Sequence, residues 1–281
     1  MIRKPNIFTA VVLVAMITAP MLAPPVFAEK LQNSTLQAWN RYLAWADASV
    51  QRQLADPKRF LIEDFVPADQ QRAVRKQVLA GSVEVMRVSN VAPAGVAFSV
   101  PDGEIHHWWA SILVPDIKLP ELMRFLKDYD HHAGRFTDVE RSRLLSHNGE
   151  AYRFLFRLKR TKAFFTVYYN AEQECIYTEH GPGRISSRSY ATKIAEIENA
   201  GTNKEHERPP GDDQGFLWRL VSWWRFQETP QGVIVECESA SLSRSIPAVV
   251  KLLPWAASYI RSTPKESLES VLLNIRIHVR E

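Results

Sequence analysis

Apolar residues return along this chain first with a helical period, then with the period of two that marks strands, and finally with a helical period again. Over residues 34–55, Leu36, Trp39, Leu43, Ala46, Val50 and Leu54 recur at helical spacing behind Ser34, an N-cap residue type, and Asp56-Pro57 ends the run. A second helix is predicted from Ala68 to Leu79, before Gly81. From Val83 the rhythm changes. Val83 to Val91 alternates weakly, and Gly103 to Val114 reads as a long strand ended by Pro115. A helix follows from Leu119, with Leu122, Phe125 and Leu126 on one side, and closes near Gly134.

Strands are then expected over Val139 to Ser146, Glu150 to Lys159, Lys162 to Tyr169, Cys175 to His180 and Ser186 to Glu198, the first two joined by the hairpin signal Asn148-Gly149. Arg153, Arg157 and Lys159 alternate with Phe154, Phe156 and Leu158, as in a sheet that is wet on one face. Asn199 to Gly215 is rich in Gly, Pro and charge and is expected to be a mobile loop over a site. Two more strands, Phe216 to Glu228 and Gly232 to Ser243, meet at Thr229-Pro230-Gln231-Gly232. If Glu228 pairs with Val233, then Trp224, Phe226, Val235 and Cys237 share an apolar face. Arg225 then falls opposite Glu236, and Trp223 opposite Glu238. The last segments, Ile246 to Tyr259 and Lys265 to Ile277, are helical, as one helix broken at Pro264 or as two.

Composition narrows the class without naming a function. The 281 residues are 46% hydrophobic and 23% charged with only 11 Gly, which excludes disorder and collagen-like repeats. Residues 1–28 carry Arg3 and Lys4, an apolar run from Ile7 to Ala19, and the triplet Val26-Phe27-Ala28, the order of a secretory leader cleaved after Ala28. A secreted or periplasmic protein is expected. Without that leader 33 basic residues face 31 acidic ones, so the net charge falls from +4 to +2, too small an excess for a nucleic-acid partner. Cys175 and Cys237 would then occupy a compartment where a disulfide is allowed, but their sequence positions leave pairing open.

A helical preface over 29–82, then a strand, a helix, a run of antiparallel strands and a long C-terminal helix over 83–281 make an α+β arrangement. That order resembles the START-like, or SRPBCC, helix-grip superfamily. The segments GEIHHWWASILVP, GPGRISSRSYATKIAEIENAG, PPGDDQGFLWRLVSWWRF, GVIVECESASLSRSIP and STPKESLESVL are similar to a group of secreted bacterial START-like proteins, over almost the whole chain beyond the leader. The resemblance implies a curved antiparallel sheet wrapped around a C-terminal helix with an apolar cavity between them. Members bind lipids, sterols, ubiquinone-like molecules, polyketides or plant hormones, and a minority catalyse cyclisation or related reactions. No cofactor is implied.

The expected ligand-binding residues are Trp108, Trp109, Phe154, Phe156, Trp224, Arg225, Phe226, Val235, Leu253 and Leu272, with Leu252 beside them; parity alone leaves open which of Trp108 and Trp109 points inward. Arg225, Glu236 and Glu238 form either a head-group clamp or a cross-strand ion cluster on an outer face. Arg184, Arg188 and Arg244 are further head-group candidates. His106 and His107 face opposite sides of a strand, and neither they nor His131 and His132 have metal-ligand spacing, so no metal site is expected. Three readings follow: a binding protein for a lipid or other hydrophobic molecule, with transient membrane contact; an enzyme using His107, Glu236 or Glu238 as acid or base; and a partner-binding protein that presents the aromatic stripe of the preface outward.

Overall fold

The turn at Thr229–Gly232 sets the register of the central hairpin, and the rest of the sheet is built outward from it. A computed structural model describes residues 29–89, 98–162, 165–245 and 254–281; the leader (1–28) and Leu252 and Leu253 lie outside the described residues. In chain order the elements are β1 (Glu29–Lys30), α1 (Asn33–Leu54), α2 (Ala68–Leu79), β2 (Glu84–Arg87), β3 (Gly103–Pro115), α3 (Leu119–Lys127), β4 (Val139–Asn148) and β5 (Ala151–Lys162). They continue with β6 (Phe165–Glu179), β7 (Arg184–Glu198), β8 (His206–Glu207), β9 (Asp212–Asp213), β10 (Arg219–Thr229), β11 (Gly232–Arg244) and α4 (Pro254–His278). The antiparallel sheet runs β2-β3-β11-β10-β7-β6-β5-β4, with β8 added to β7. Glu228 pairs with Val233, so Arg225 faces Glu236 and Trp223 faces Glu238 as the sequence predicts. Gly232 is required here: its φ is +139°, and a Cβ would stand 2.2 Å from the Val114 carbonyl oxygen.

Both faces of the sheet are covered. Even-numbered β3 residues and odd-numbered β11 residues, among them Ala110, Ile112, Val235 and Cys237, pack with Leu268, Leu272 and Ile275 of α4. On the opposite face Trp39, Tyr42, Ala46 and Val50 of α1 pack on Ile105, Trp218, Trp223 and Leu242. Val74 and Val78 of α2 join Phe60 and Leu61 against Trp109, Leu113 and Ile234. The preface is therefore a third layer, and its aromatic stripe is buried within the chain, against the partner-binding reading. The buried centre of that stripe is Thr35, Ala38, Trp39, Tyr42, Ala46 and Val50, with Leu43 only packed against it.

Three sequence expectations change. The two strands expected over 162–169 and 175–180 are replaced by one, β6 (Phe165–Glu179), with Lys162 ending β5, because Asn170, Glu172 and Glu174 do not turn the chain; each pairs across to β5 and keeps the alternation going. The C-terminal helix continues through Pro264 as one element. The 199–215 segment is tied down rather than free. β8 pairs with β7 and β9 with β1, and Arg157 grips Glu205 through two bonds of 2.7 and 2.9 Å. Arg157 is accordingly buried, unlike the solvated neighbours Arg153 and Lys159.

Cys175 and Cys237 are both buried free thiols. Strand register explains why: Cys237 pairs with Trp224, Trp224 with Ser187 and Ser187 with Tyr177, so three inter-strand steps separate β11 from β6. At about 4.8 Å per step, with Cys175 a further two residues along β6 from Tyr177, the sheet register puts the cysteines more than about 14 Å apart, at least twice the reach of a disulfide.

Candidate functional site

The α4 face carries most of the expected ligand residues. Trp108, Phe154, Phe156, Trp224, Phe226, Val235 and Leu272 all lie on it. Val235, Phe226, Phe154 and Leu272 are fully packed, whereas Trp108, Phe156, Leu158, Ile185 and Trp224 are half-buried. The Trp224 and Phe226 rings stack at 6.1 Å and 6°, and the Trp224 indole N–H donates to Ser222 Oγ at 3.1 Å. Towards β4 the face closes with Tyr129 stacked 4.0 Å from Phe154, and the Tyr129 and Tyr177 hydroxyls are 2.9 Å apart. His132 is buried among Phe125, Tyr129, Phe136 and Phe156, and this burial pulls its imidazole down to about 4.

Trp109, Arg225, His107, Glu236 and Glu238 stand on the other face, beneath the N-terminal helices. Parity is the physical reason: Trp108 and Trp224 point to α4, so their neighbours Trp109 and Arg225 must point away. The expected Arg225–Glu236 pair is replaced by bonds to the preface. Arg225 donates to the Phe60 carbonyl at 2.8 Å and to Gln53 Oε1 at 2.5 Å. Glu236 accepts from the backbone N–H groups of Ile62 and, at 3.3 Å, Glu63. Complete burial pushes the Glu236 carboxyl up to about 8, against the opposing field of Arg225 and the Ile62 bond. Arg75 neutralises the buried Glu63 from α2.

Beside this anchor runs a chain of polar contacts. The Tyr42 hydroxyl lies 2.6 Å from His107 Nδ1, and His107 Nε2 lies 2.9 Å from Glu238 Oε1. Burial and the Glu238 charge raise the Tyr42 pKa, so its hydroxyl keeps its proton. Glu238 in turn lines a cavity of about 200 Å³, walled by Trp45 and Gln53 of α1, Ile62, Met86 of β2, and Trp109. Tyr42 and Gln53 were not singled out from sequence. The available signal was spacing: Tyr42 is three residues after Trp39 and four before Ala46, on the same helical stripe.

The remaining candidates are spread apart. Arg188 is held by Asp47 of α1 through two bonds of 2.7 and 2.9 Å, Arg184 covers the Phe60 ring, and Arg244 covers Phe216. His106 bonds Ser243 Oγ, and the exposed His131 bonds Asp128, so the histidines named from sequence converge on no common point.

A long antiparallel sheet that holds one C-terminal helix on one face is the helix-grip arrangement. No protein-family model matches the chain, and no curated protein matches it in sequence. Among solved structures it is similar to a STAR-related lipid transfer protein fragment from Xanthomonas axonopodis, at 16% identity and a TM-score of 0.45 over 66% of this chain and 97% of that one. It is also similar to human STARD10, at 15% identity and a TM-score of 0.38 over 70% and 79% of the two chains. A third likeness is to the Zhui aromatase/cyclase from Streptomyces, at 10% identity and a TM-score of 0.42 over 63% and 94%.

Proposed function

We propose that the protein binds a lipid or other hydrophobic small molecule on the α4 face of the sheet, and that it does so outside the cytoplasm after its leader is removed. One observation carries the reading: five large apolar side chains, Trp108, Phe156, Leu158, Ile185 and Trp224, lie on an inward-facing surface yet remain half-buried. Covering them with an alkyl chain gains about 0.8 kcal/mol per methylene, so ten methylenes supply ~8 kcal/mol, the scale of micromolar binding. The acid–base reading does not serve this face, because His107, Glu236 and Glu238 are on the opposite side.

Native mass spectrometry of protein purified from its own host tests the binding. An added mass matching a hydrophobic molecule is expected, as is uptake from a lipid extract that falls about tenfold in Trp224→Ala. A ligand-free mass with no uptake from the extract would overturn the reading. N-terminal sequencing of the same sample checks the leader: the mature chain should begin at Glu29.

A further inference from the structure

The sheet face under α4 changes character along its strands, and the strand register shows where. Ile112, Val235, Phe226 and Ile185 pair one to the next across β3, β11, β10 and β7, a lateral row that is wholly apolar. Four residues along each strand, the same register brings together Trp108, Ser239, Ser222 and Ser189, three serines side by side. An even offset keeps both rows on the α4 face, about 13 Å apart. Ser241, paired with His106, extends the polar end by one more step, and Trp224 stands on β10 between the two rows.

Adjacent serines are unusual on the covered face of a sheet, where branched and aromatic side chains are the ordinary filling. Their small side chains leave room beside the tryptophans: Trp108, Trp224, Ser222 and Ser239 are all half-buried, so a molecule in the site reaches them. The hydroxyls also keep bonding capacity. Ser222 Oγ accepts the Trp224 indole N–H and still has its own proton to give, Ser189 donates to Gln173 Oε1 at 3.2 Å and keeps its lone pairs, and no hydrogen bond among the described residues engages Ser239 Oγ. These positions carry no Lys, Arg, Asp or Glu, and His106 Nε2 lies 3.0 Å from Ser243 Oγ.

A row of hydroxyls without a base suits a head that both donates and accepts hydrogen bonds and carries no charge. A carboxylate or phosphate would lose its hydration here with no cation to pair it, and a bare hydrocarbon would leave the hydroxyls unbonded. We propose that the hydrophobic site takes a single-chain amphiphile with an uncharged, hydroxylated head of the glyceryl ester kind. The head lies on Ser189, Ser222 and Ser239, and the chain runs past Trp224 towards Phe226 and Val235. The inference rests on the hydrophobic binding proposed above and adds the ligand's head group and its direction in the site.

Titration of the mature protein, followed by tryptophan fluorescence, tests the head with four probes of one acyl length: 1-monododecanoylglycerol, methyl dodecanoate, dodecanoate and dodecyl phosphate. The glyceride should bind at least about tenfold more tightly than any of the other three. Ser222→Ala combined with Ser239→Ala should weaken the glyceride about tenfold and change methyl dodecanoate by less than about threefold. Equal affinity for all four probes, tighter binding of either anion, or glyceride binding unchanged in the double variant would overturn the head-group assignment and leave hydrophobic binding standing. Absence of binding by every probe would overturn both. If the double variant fails to fold, the comparison of heads on the wild-type protein decides.

Discussion

Glu236 is a carboxyl group with no exposure to water, bonded to the backbone of a segment 174 residues earlier in the chain. Its folded-state value of about 8 stands above the ordinary 4.5, so the folded protein keeps a proton that the unfolded chain releases. Stability from Glu236 is therefore fully present below about pH 4.5 and is lost as the pH rises through 8. At about 1.4 kcal/mol per unit the loss is at most about 5 kcal/mol. Urea unfolding of wild type and Glu236→Gln at pH 4.5 and 8.5 measures it: stability relative to the variant should decline with pH, and an equal difference at both pH values would refute the assignment. That the residue is opposite Arg225 was legible from the turn and the strand period. That it bonds Ile62 and Glu63 instead of Arg225 was not, because those partners are brought in by a different layer.

At the scale of elements, α1 is held by tertiary packing, since its stripe is buried on Trp218 and Trp223. Trp39 is 2% exposed, and Trp39→Ala should cost about 3–5 kcal/mol in chemical denaturation, with lost near-ultraviolet circular dichroism. A cost under about 1 kcal/mol would show that α1 does not need the sheet. The strands make a second prediction. Separation by three strand steps forbids a Cys175–Cys237 bond, so denatured, unreduced protein should titrate two thiols, whereas none would reveal a disulfide. Helix and strand periods gave most element boundaries to within a few residues. They failed at β6, where a polar run of Asn170 to Glu174 was read as a gap between strands, although alternating pairing keeps it in the ladder.

For the whole molecule, three layers create two interiors. The α4 side holds aromatic and aliphatic residues, some of them only half-covered; the N-terminal side holds a buried network of Tyr, His, Glu and Arg around a small cavity. The first interior is the one proposed to take an apolar ligand.

The sequence by itself determined what depends on neighbours along the chain: helices from a period of 3.6, strands from a period of two, and the β10–β11 register from a turn that demands Gly232. Strand alternation also settled which residues share a face. Only the tertiary structure decided what covers each face, because a strand's parity separates its two sides without identifying the element that packs on either. Thus Trp108 and Trp109 were equal candidates until α4 took one side and α1 and α2 the other. His107 acquired its chemistry in the same way, from Tyr42, a hydroxyl 65 residues away that no local pattern places 2.6 Å from its ring.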